Sequence, residues 1–287
     1  MKLKKQTSLL LIALLTVVMV FSLTACGDKK EGSSGTNTSG LELFTDGKLT
    51  VATDEPAWAP WVLDNTPESG EGFESALVYA IADNLGFAKD DVVWVRSPFD
   101  ASISPGAKDY DFNLQQFSIT DERKEVVDLS APYFKEPRAI ITMKDGKYAA
   151  TTSISEFKDA LFGAASGDVA NQITQDFIKP NKDVQVFTNL VDVLAALKTG
   201  QIDATVVGIT TASYIIYDEQ LNENGVINGI IPGSADVSAG FGLLLPKGSP
   251  NTPILSKVIE ELDANGTLKE LSDKWLGDYN SVPELKD

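Results

Sequence analysis

The chain has 287 residues, of which 24 are basic and 41 acidic, so its formal net charge is −17. Such acidity argues against nucleic acids and anionic membrane surfaces as partners. The sequence contains no histidine and a single cysteine, which excludes serine–histidine–aspartate and cysteine–histidine catalysis, histidine metal sites and internal disulfides. A carboxylate-only metal site stays open, but no calcium-loop motif supports one, and no cofactor is expected.

Residues 1–25 have the pattern of a secretory signal, with a basic start and an apolar run over 8–23. The run is about as long as a short membrane span, so an uncleaved anchor is the alternative. Leu-Thr-Ala-Cys at 23–26 resembles the bacterial lipoprotein signal, in which the cysteine is lipidated and becomes the new N-terminus. We therefore expect a lipid on Cys26 that holds the protein at the extracytoplasmic face of the cell membrane. Without residues 1–25 the chain keeps 21 basic and 41 acidic residues, a net charge of −20.

Residues 26–40 are rich in Gly, Ser, Thr and Asn and predict a flexible linker. From residue 41 onward, short strands alternate with helices. A helix is predicted over 73–86, where apolar residues recur on one face before Gly86: Phe73, Leu77, Ala80, Ile81 and Leu85. In this half of the chain strands are predicted over 48–55, 92–99, 113–120, 126–134 and 138–144.

A second series of elements begins near residue 154. Helices are predicted over 153–161, 169–179, 190–200, 210–221, 252–266 and 267–277. Strands with their following turns are predicted over 162–168, 184–189, 201–208 and 239–250. This alternation predicts an α/β fold with two mixed or parallel sheets flanked by helices.

The two predicted lobes are not contiguous in the chain. Strands near 138–143 and 240–245 lie at breaks in composition and are interpreted as crossovers between the lobes. Lobe 1 would then comprise 41–137 plus 246–287, and lobe 2 would comprise 138–239, with 240–245 as a hinge strand. Two crossing strands make a hinge, and a ligand would bind in the cleft between the lobes.

Five segments in order resemble the extracellular solute-binding proteins of ABC transporters, specifically the family that binds polar amino acids (family 3). The most specific is Asp111–Phe134, DFNLQQFSITDERKEVVDLSAPYF. The others are TDEPAWAPW (53–61), GEGFESALVYAIADNLGF (70–87), AALKTGQIDATVV (195–207) and GTLKELSDKWLG (266–277). The resemblance covers essentially all of 41–278 and implies the two-lobed type II periplasmic-binding-protein fold, with two hinge strands.

The resemblance implies that Arg123 holds the α-carboxylate of a ligand. A planar guanidinium can bind a carboxylate through two parallel hydrogen bonds, and Thr120 is a good N-cap for a helix that begins there. The alternative is a surface arginine paired with Asp121 or Glu122. The same alignment places Gln116 and Ser118 at the cleft, and strand alternation puts both on one side. Their alternative is an ordinary strand end with solvated polar groups.

The resemblance also implies that Trp58 and Phe99 lie on either side of the ligand's side chain, although either ring could instead fill core. Trp61 is expected in the core. Asp54 or Glu55 falls near the place where relatives carry an acid for basic side chains.

Two positions depart from the family's pattern. The acid that binds the α-ammonium group in many relatives is replaced by Gly208. The Gly-Thr turn that assists with the carboxylate corresponds to Gly167-Asp168-Val169. One hypothesis is that Asp168 takes over the ammonium group, with Val169 beside it. The other is that the ligand lacks an α-amino group there or is larger and uses the space at Gly208.

Two acids also have purely structural interpretations. Asp168 precedes a predicted helix and could be its N-cap without touching ligand. Glu74, in the first turn of the helix predicted over 73–86, is interpreted as a helix-start residue.

The expected function is that of a lipid-anchored, monomeric receptor, not an enzyme. It would capture a polar amino acid or similar small carboxylate and deliver it to a membrane permease driven by an ATPase. Three alternatives remain at this point: a receptor for a carboxylate that is not an amino acid, a dehydratase-type enzyme on the same fold, and a sensor or adhesin without a transporter.

Overall fold

The structure is a computed structural model that describes residues 40–217, 221, 224–276 and 282–287. The predicted signal, Cys26 and all but the last residue of the predicted linker lie outside these ranges. Within the described ranges, no helix has the length and apolar character needed to cross a bilayer.

Strands and helices alternate along most of the described chain, as predicted. The strands are β1 (Leu49–Thr53), β2 (Val92–Arg96), β3 (Phe112–Asn113), β4 (Val127–Phe134), β5 (Arg138–Met143), β6 (Phe162–Ala165), β7 (Gln185–Phe187), β8 (Ala204–Gly208), β9 (Gly225–Ile230) and β10 (Phe241–Pro246). The α-helices are α1 (Phe73–Asn84), α2 (Phe99–Ile103), α3 (Asp121–Val126), α4 (Ala170–Ile173), α5 (Leu190–Thr199), α6 (Ile209–Tyr217), α7 (Asn251–Ala264) and α8 (Thr267–Trp275).

The strands form two five-stranded sheets, in the orders β2-β1-β3-β10-β4 and β7-β6-β8-β5-β9. In each sheet three strands run parallel and the other two are antiparallel to their neighbours. Both sheets are therefore mixed and carry helices, which confirms the predicted two-lobed α/β fold. The sequence analysis missed β9, whose short, glycine-containing segment GVINGI has little period-2 alternation.

Two strands occupy the positions where the chain passes between the sheets. After β4 the chain enters the second sheet at β5, and after β9 it returns to the first sheet, where β10 pairs with β4. The C-terminal residues differ from the predicted lobe boundaries, because 282–287 lie along the second sheet. Glu284 pairs with Ile230, and Leu285 is buried in the apolar cluster of that sheet.

Each sheet has its own apolar core. In the first, Trp61 is fully buried, and its ring contacts Phe73, Phe134 and Phe241 edge-on. This core holds the predicted face of α1. Helix α7 packs against the same sheet, and α8 packs against α1 and α7. The second sheet is covered on one face by α4 and on the other by α5 and α6. Trp61 is thus a core residue, as predicted.

The strand predicted over 113–120 is wrong beyond its first residue. Strand β3 ends at Asn113, and Gln116 adopts a left-handed backbone with φ of 51°. Ser118 makes only an isolated bridge to Phe241. The alternation argument for Gln116 and Ser118 therefore fails, because alternation requires extended backbone.

Candidate functional site

A cavity lies where the two sheets meet, at the carboxyl ends of their parallel strands. Such ends form the usual ligand crevice in α/β sheets. It brings together seven of the eight residues predicted to bind ligand: Asp54, Trp58, Phe99, Gln116, Ser118, Arg123 and Asp168. The eighth, Val169, does not line this cavity, because its side chain is buried in the apolar core beside α4.

Arg123 is buried at the edge of the cavity, with a relative exposure of 7%. Its Nη1 donates to the carbonyl of Ser118 at 2.9 Å, and its Nη2 donates to the carbonyl of Gly167 at 2.8 Å. Burial lowers the pKa of Arg123 to about 10, so the group stays cationic at neutral pH. The alternative of a surface arginine paired with Asp121 or Glu122 is wrong.

The local sequence around Arg123 forms the helix start that was predicted. The hydroxyl of Thr120 accepts the backbone N–H of Arg123 at 3.3 Å. Because that N–H is occupied and α3 has only six residues, the guanidinium, not the helix end, is the anion-binding feature here.

Aromatic rings border the cavity. The ring of Phe99 stacks on the ring of Phe117 with a centroid distance of 5.1 Å. The guanidinium of Arg123 lies 5.4 Å from the centroid of the Phe99 ring and forms a cation–π contact with it. Trp58 is half-buried and packs against the cores of both sheets. The two rings therefore contribute to the core and to the cavity wall at once.

The sequence analysis missed Arg138, a second cation in the cavity wall. Arg138 begins β5, and its Nη2 donates to the hydroxyl of Ser118 at 3.1 Å. Its guanidinium also lies 5.5 Å from the ring centroid of Phe241. Ser118 therefore has a guanidinium on its carbonyl and another on its hydroxyl, which makes this part of the cavity electropositive.

Glu74 is in the first turn of α1, as predicted, but it also lines the cavity and is buried to 2% exposure. Its Oε1 accepts the backbone N–H of Gln116 at 2.9 Å, and its Oε2 accepts the side-chain amide of Gln116 at 2.6 Å. The hydroxyl of Tyr133 also donates to Oε1. Burial raises the pKa of Glu74 to about 7, although these hydrogen bonds oppose the shift. The Glu74 carboxylate thus holds Gln116 in its left-handed conformation.

Of the two acids predicted after β1, Asp54 faces the cavity. Burial raises its pKa to about 6, and its carboxylate accepts the backbone N–H of Glu55 at 2.8 Å. The side chain of Glu55 points away and pairs with Arg96 at 3.3 Å near the surface.

Asp168 lines the cavity and also acts at a helix start. Its Oδ1 accepts the backbone N–H of Ala170, the first residue of α4, at 2.9 Å. This contact is the one expected from the structural interpretation of Asp168.

The space at Gly208 is not open, because another acid fills it. Glu136, which the sequence analysis did not single out, is buried to 7% exposure and lines the cavity. A Cβ built on Gly208 would lie 1.9 Å from Oε1 of Glu136. The carboxylate of Glu136 therefore occupies the space that the absent side chain of Gly208 leaves. Among the described residues no group of three or more acids or cysteines is arranged to hold a metal ion.

The model for bacterial extracellular solute-binding proteins, family 3, matches residues 49–278. Two curated relatives cover nearly the whole chain. The arginine-binding extracellular protein ArtP of Bacillus subtilis (strain 168) is 25% identical over 92% of this chain and 96% of its own. The ABC transporter glutamine-binding protein GlnH of the same organism is 27% identical over 95% of this chain and 97% of its own.

A solved protein structure is similar to this chain as well. An ancestral arginine-binding protein bound to arginine superposes with a TM-score of 0.65 at 28% identity, covering 80% of this chain and 99% of that protein.

Proposed function

The chain belongs to the bacterial extracellular solute-binding proteins, family 3, and from this premise we propose that it captures an α-amino acid in the cavity between its sheets. The observation that carries the proposal is the buried guanidinium of Arg123, which no carboxylate of the described residues neutralises through an ion pair. The nearby Asp168 carboxylate partly offsets this charge, but a buried charge that forms no ion pair is costly, so an arriving carboxylate is stabilised there.

The hydrogen bonds around Arg123 leave capacity for a ligand. A guanidinium carries five N–H donors, and Arg123 uses Nη1 and Nη2 for single bonds to the carbonyls of Ser118 and Gly167. A ligand carboxylate would take the remaining donors, at about 1.5–3 kcal/mol for each charged hydrogen bond. The nearby Arg138 strengthens the positive potential at the same place.

Two features support an amino acid with a polar side chain. The relatives named above bind arginine and glutamine according to their names. In this chain, the face of Trp58 and the partly buried carboxyl of Asp54 are available to a polar or cationic side chain. The side chain of the ligand would lie toward Trp58 and Phe99, and its carboxylate toward Arg123.

The captured amino acid would be delivered to an ABC importer, that is, a permease driven by an ATPase. Arg123 of the first lobe bonds to Gly167 of the second, and Trp61 bonds to Thr211 across the same boundary. A ligand that touches both lobes favours the state in which they are in contact. The permease would need to recognise only that state, and a monomer suffices.

The lipid anchor on Cys26 remains part of the proposal. A Cys26→Ser variant should lose incorporation of labelled palmitate and should no longer fractionate with membranes. Because Cys26 is the only cysteine, label retained by the variant would contradict the anchor.

Calorimetric titration tests the ligand class. The protein is unfolded and refolded to remove bound solute and is then titrated with the twenty common L-amino acids. At least one should bind with saturation, and Arg123→Ala should abolish binding. Lys124→Ala is the matched control, because Lys124 is exposed and, in the part of the chain that the structure describes, its side chain pairs only with Asp121. If no amino acid binds the wild-type protein, the proposed function is wrong.

A further inference from the structure

We propose that the carboxylate of Glu136 is the acceptor for the α-ammonium group of the bound amino acid. This inference rests on the proposed function and deepens it, because it assigns recognition of the ligand's α-ammonium group to Glu136 and not to Asp168.

The position of Glu136 follows from the pairing of two strands. Arg138, the first residue of β5, pairs with Gly208, the last residue of β8, in antiparallel register. Glu136 lies two residues before Arg138, so the chain carries its side chain across the end of β8 and into the cavity. There its Oε2 accepts the backbone N–H of Thr210 at 2.8 Å, in the first turn of α6.

Gly208 is the residue that makes room for this carboxylate. A Cβ at position 208 would lie 1.9 Å from Oε1 and 2.7 Å from Cδ of Glu136. The φ angle of Gly208 is not in the left-handed region, so the backbone alone does not require glycine there. A side chain at position 208 would instead displace the Glu136 carboxylate, and this links the identity of residue 208 to the presence of Glu136 in the cavity.

The Glu136 carboxylate lacks a direct cationic partner. Burial raises its pKa, and Arg138 and Thr210 only partly oppose that shift. Arg138 forms no ion pair with it, and among the described residues the carboxylate accepts the N–H of Thr210, whose hydroxyl also lies beside it. A buried carboxylate in this state is stabilised by a cation that brings its own N–H donors.

The other acids of the cavity are less suited to this role. Glu74 already accepts three hydrogen bonds from Gln116 and Tyr133. Asp168 is half-exposed and accepts the N–H of Ala170 at the start of α4. Asp54 follows β1 and accepts the N–H of Glu55. Glu136 combines deep burial with unused acceptor capacity.

A comparison of each amino acid with its 2-hydroxy acid tests the assignment, because the pair differs only in the ammonium group. Probes are L-arginine, L-glutamine and any other amino acid that binds in the panel, each with the corresponding 2-hydroxy acid. The wild-type protein should prefer the amino acid by at least about tenfold. Glu136→Gln should weaken amino-acid binding by about ten- to hundredfold, leave hydroxy-acid binding nearly unchanged and so remove the preference.

Asp168→Asn is the matched control. Its amide oxygen can still accept the N–H of Ala170, so the helix start is kept while the charge is removed. This variant should keep the preference for the amino acid. If Asp168→Asn removes the preference and Glu136→Gln keeps it, the inference is overturned and Asp168 is the acceptor.

A double variant that moves the carboxylate from position 136 to position 208 tests whether its place in the cavity is what matters. In the double variant Glu136→Gly with Gly208→Asp, the new side chain begins where the carboxylate of Glu136 now ends. The preference should return in the double variant, which also serves if Glu136→Gln proves too unstable to titrate. A double variant that is folded by thermal unfolding but shows no preference overturns the inference.

Failure of this inference is distinguishable from failure of the proposed function. If the wild-type protein binds amino acid and hydroxy acid equally, no group accepts the ammonium and the inference is wrong, while capture of a carboxylate stands. If it binds no amino acid at all, the proposed function and the inference fail together.

Discussion

Arg123 reaches across the cleft to Gly167, donating from Nη2 to the glycine carbonyl at 2.8 Å. Its other terminal nitrogen donates to Ser118, on its own side of the cleft, at 2.9 Å. Gly167 has φ of 73°, a left-handed backbone that favours glycine, and a Cβ there would lie 2.2 Å from Cδ1 of Ile103, so the Ile103 side chain would have to move. A carboxylate bound by Arg123 is therefore positioned to influence how the two lobes meet.

The first prediction concerns the shape of the cation at position 123. Arg123→Lys should keep the charge but lose the planar fork that bonds Ser118 and Gly167 together. We expect amino-acid affinity to fall by about tenfold or more, and further in Arg123→Ala. Calorimetric titration measures the loss, and thermal unfolding without ligand separates it from instability. If Arg123→Lys binds amino acids with unchanged affinity, the carboxylate is not held by two parallel hydrogen bonds from the guanidinium.

The second prediction is an energetic coupling between Gly208 and Glu136. Gly208→Ala places a methyl group against the carboxylate of Glu136, and overpacking of this kind costs about 1–3 kcal/mol. In a Glu136→Ala background the same change should cost much less, because the overlap is gone. Urea unfolding of the four proteins in the cycle gives the coupling energy. If the two substitutions change the free energy of unfolding additively, residues 208 and 136 are not in contact.

The third prediction is a loss of stability as pH rises through the neutral range. The folded-state pKa of Glu74 is raised by burial from the usual 4.5 to about 7. Between these values the native state binds more protons than the unfolded state, so the free energy of unfolding falls with rising pH. The stabilisation is fully present below about pH 4.5 and is lost by about pH 7. Its maximum size is about 3 kcal/mol of unfolding free energy.

Comparison of wild-type and Glu74→Gln proteins isolates this effect. In urea unfolding from pH 4.5 to 8, the free energy of unfolding should fall less steeply with pH in the variant than in the wild-type protein. Asp54→Asn is the control, because burial raises the pKa of Asp54 to about 6 and its contribution is lost over a lower pH range. Identical slopes in wild type and Glu74→Gln would contradict the assignment to Glu74.

The fourth prediction concerns the hydrogen bond from Trp61 Nε1 to Thr211 Oγ1, at 3.1 Å. Thr211→Val keeps the shape but leaves the buried indole N–H without its acceptor, which should cost about 1–3 kcal/mol of unfolding free energy. Thr199→Val is the control, since within the described ranges the Thr199 hydroxyl bonds only to carbonyls of its own helix. Chemical denaturation compares the two variants, and equal small losses would show that the contact between lobes contributes little.

Much of the fold could be predicted from local patterns. Helix α1 follows from the spacing of Phe73, Leu77 and Ile81, and α5 ends at Gly200, whose backbone is left-handed. Hydrophobic spacing and glycine stops act over a few residues and are therefore visible in the sequence. Arg123 was predicted at the site because Thr120 marks the helix start beside it and because the surrounding segment resembles the family.

The predictions failed where distant segments meet. Gln116 leaves the strand because the carboxylate of Glu74 holds both its backbone and its side chain. Val169 was expected beside the ligand but packs into the core next to α4.

The sequence by itself determined the class of fold, the order of most elements and the presence of one buried arginine in a set of family motifs. Only the tertiary structure decided that Glu74, Glu136 and Arg138 share the cavity with it. Arg138 and Glu136 reach the cavity because β5 pairs with β8 in the register that sets Arg138 opposite Gly208. Register is fixed by pairing between strands some seventy residues apart in the chain, so no local pattern reveals that Glu136 fills the space that Gly208 leaves.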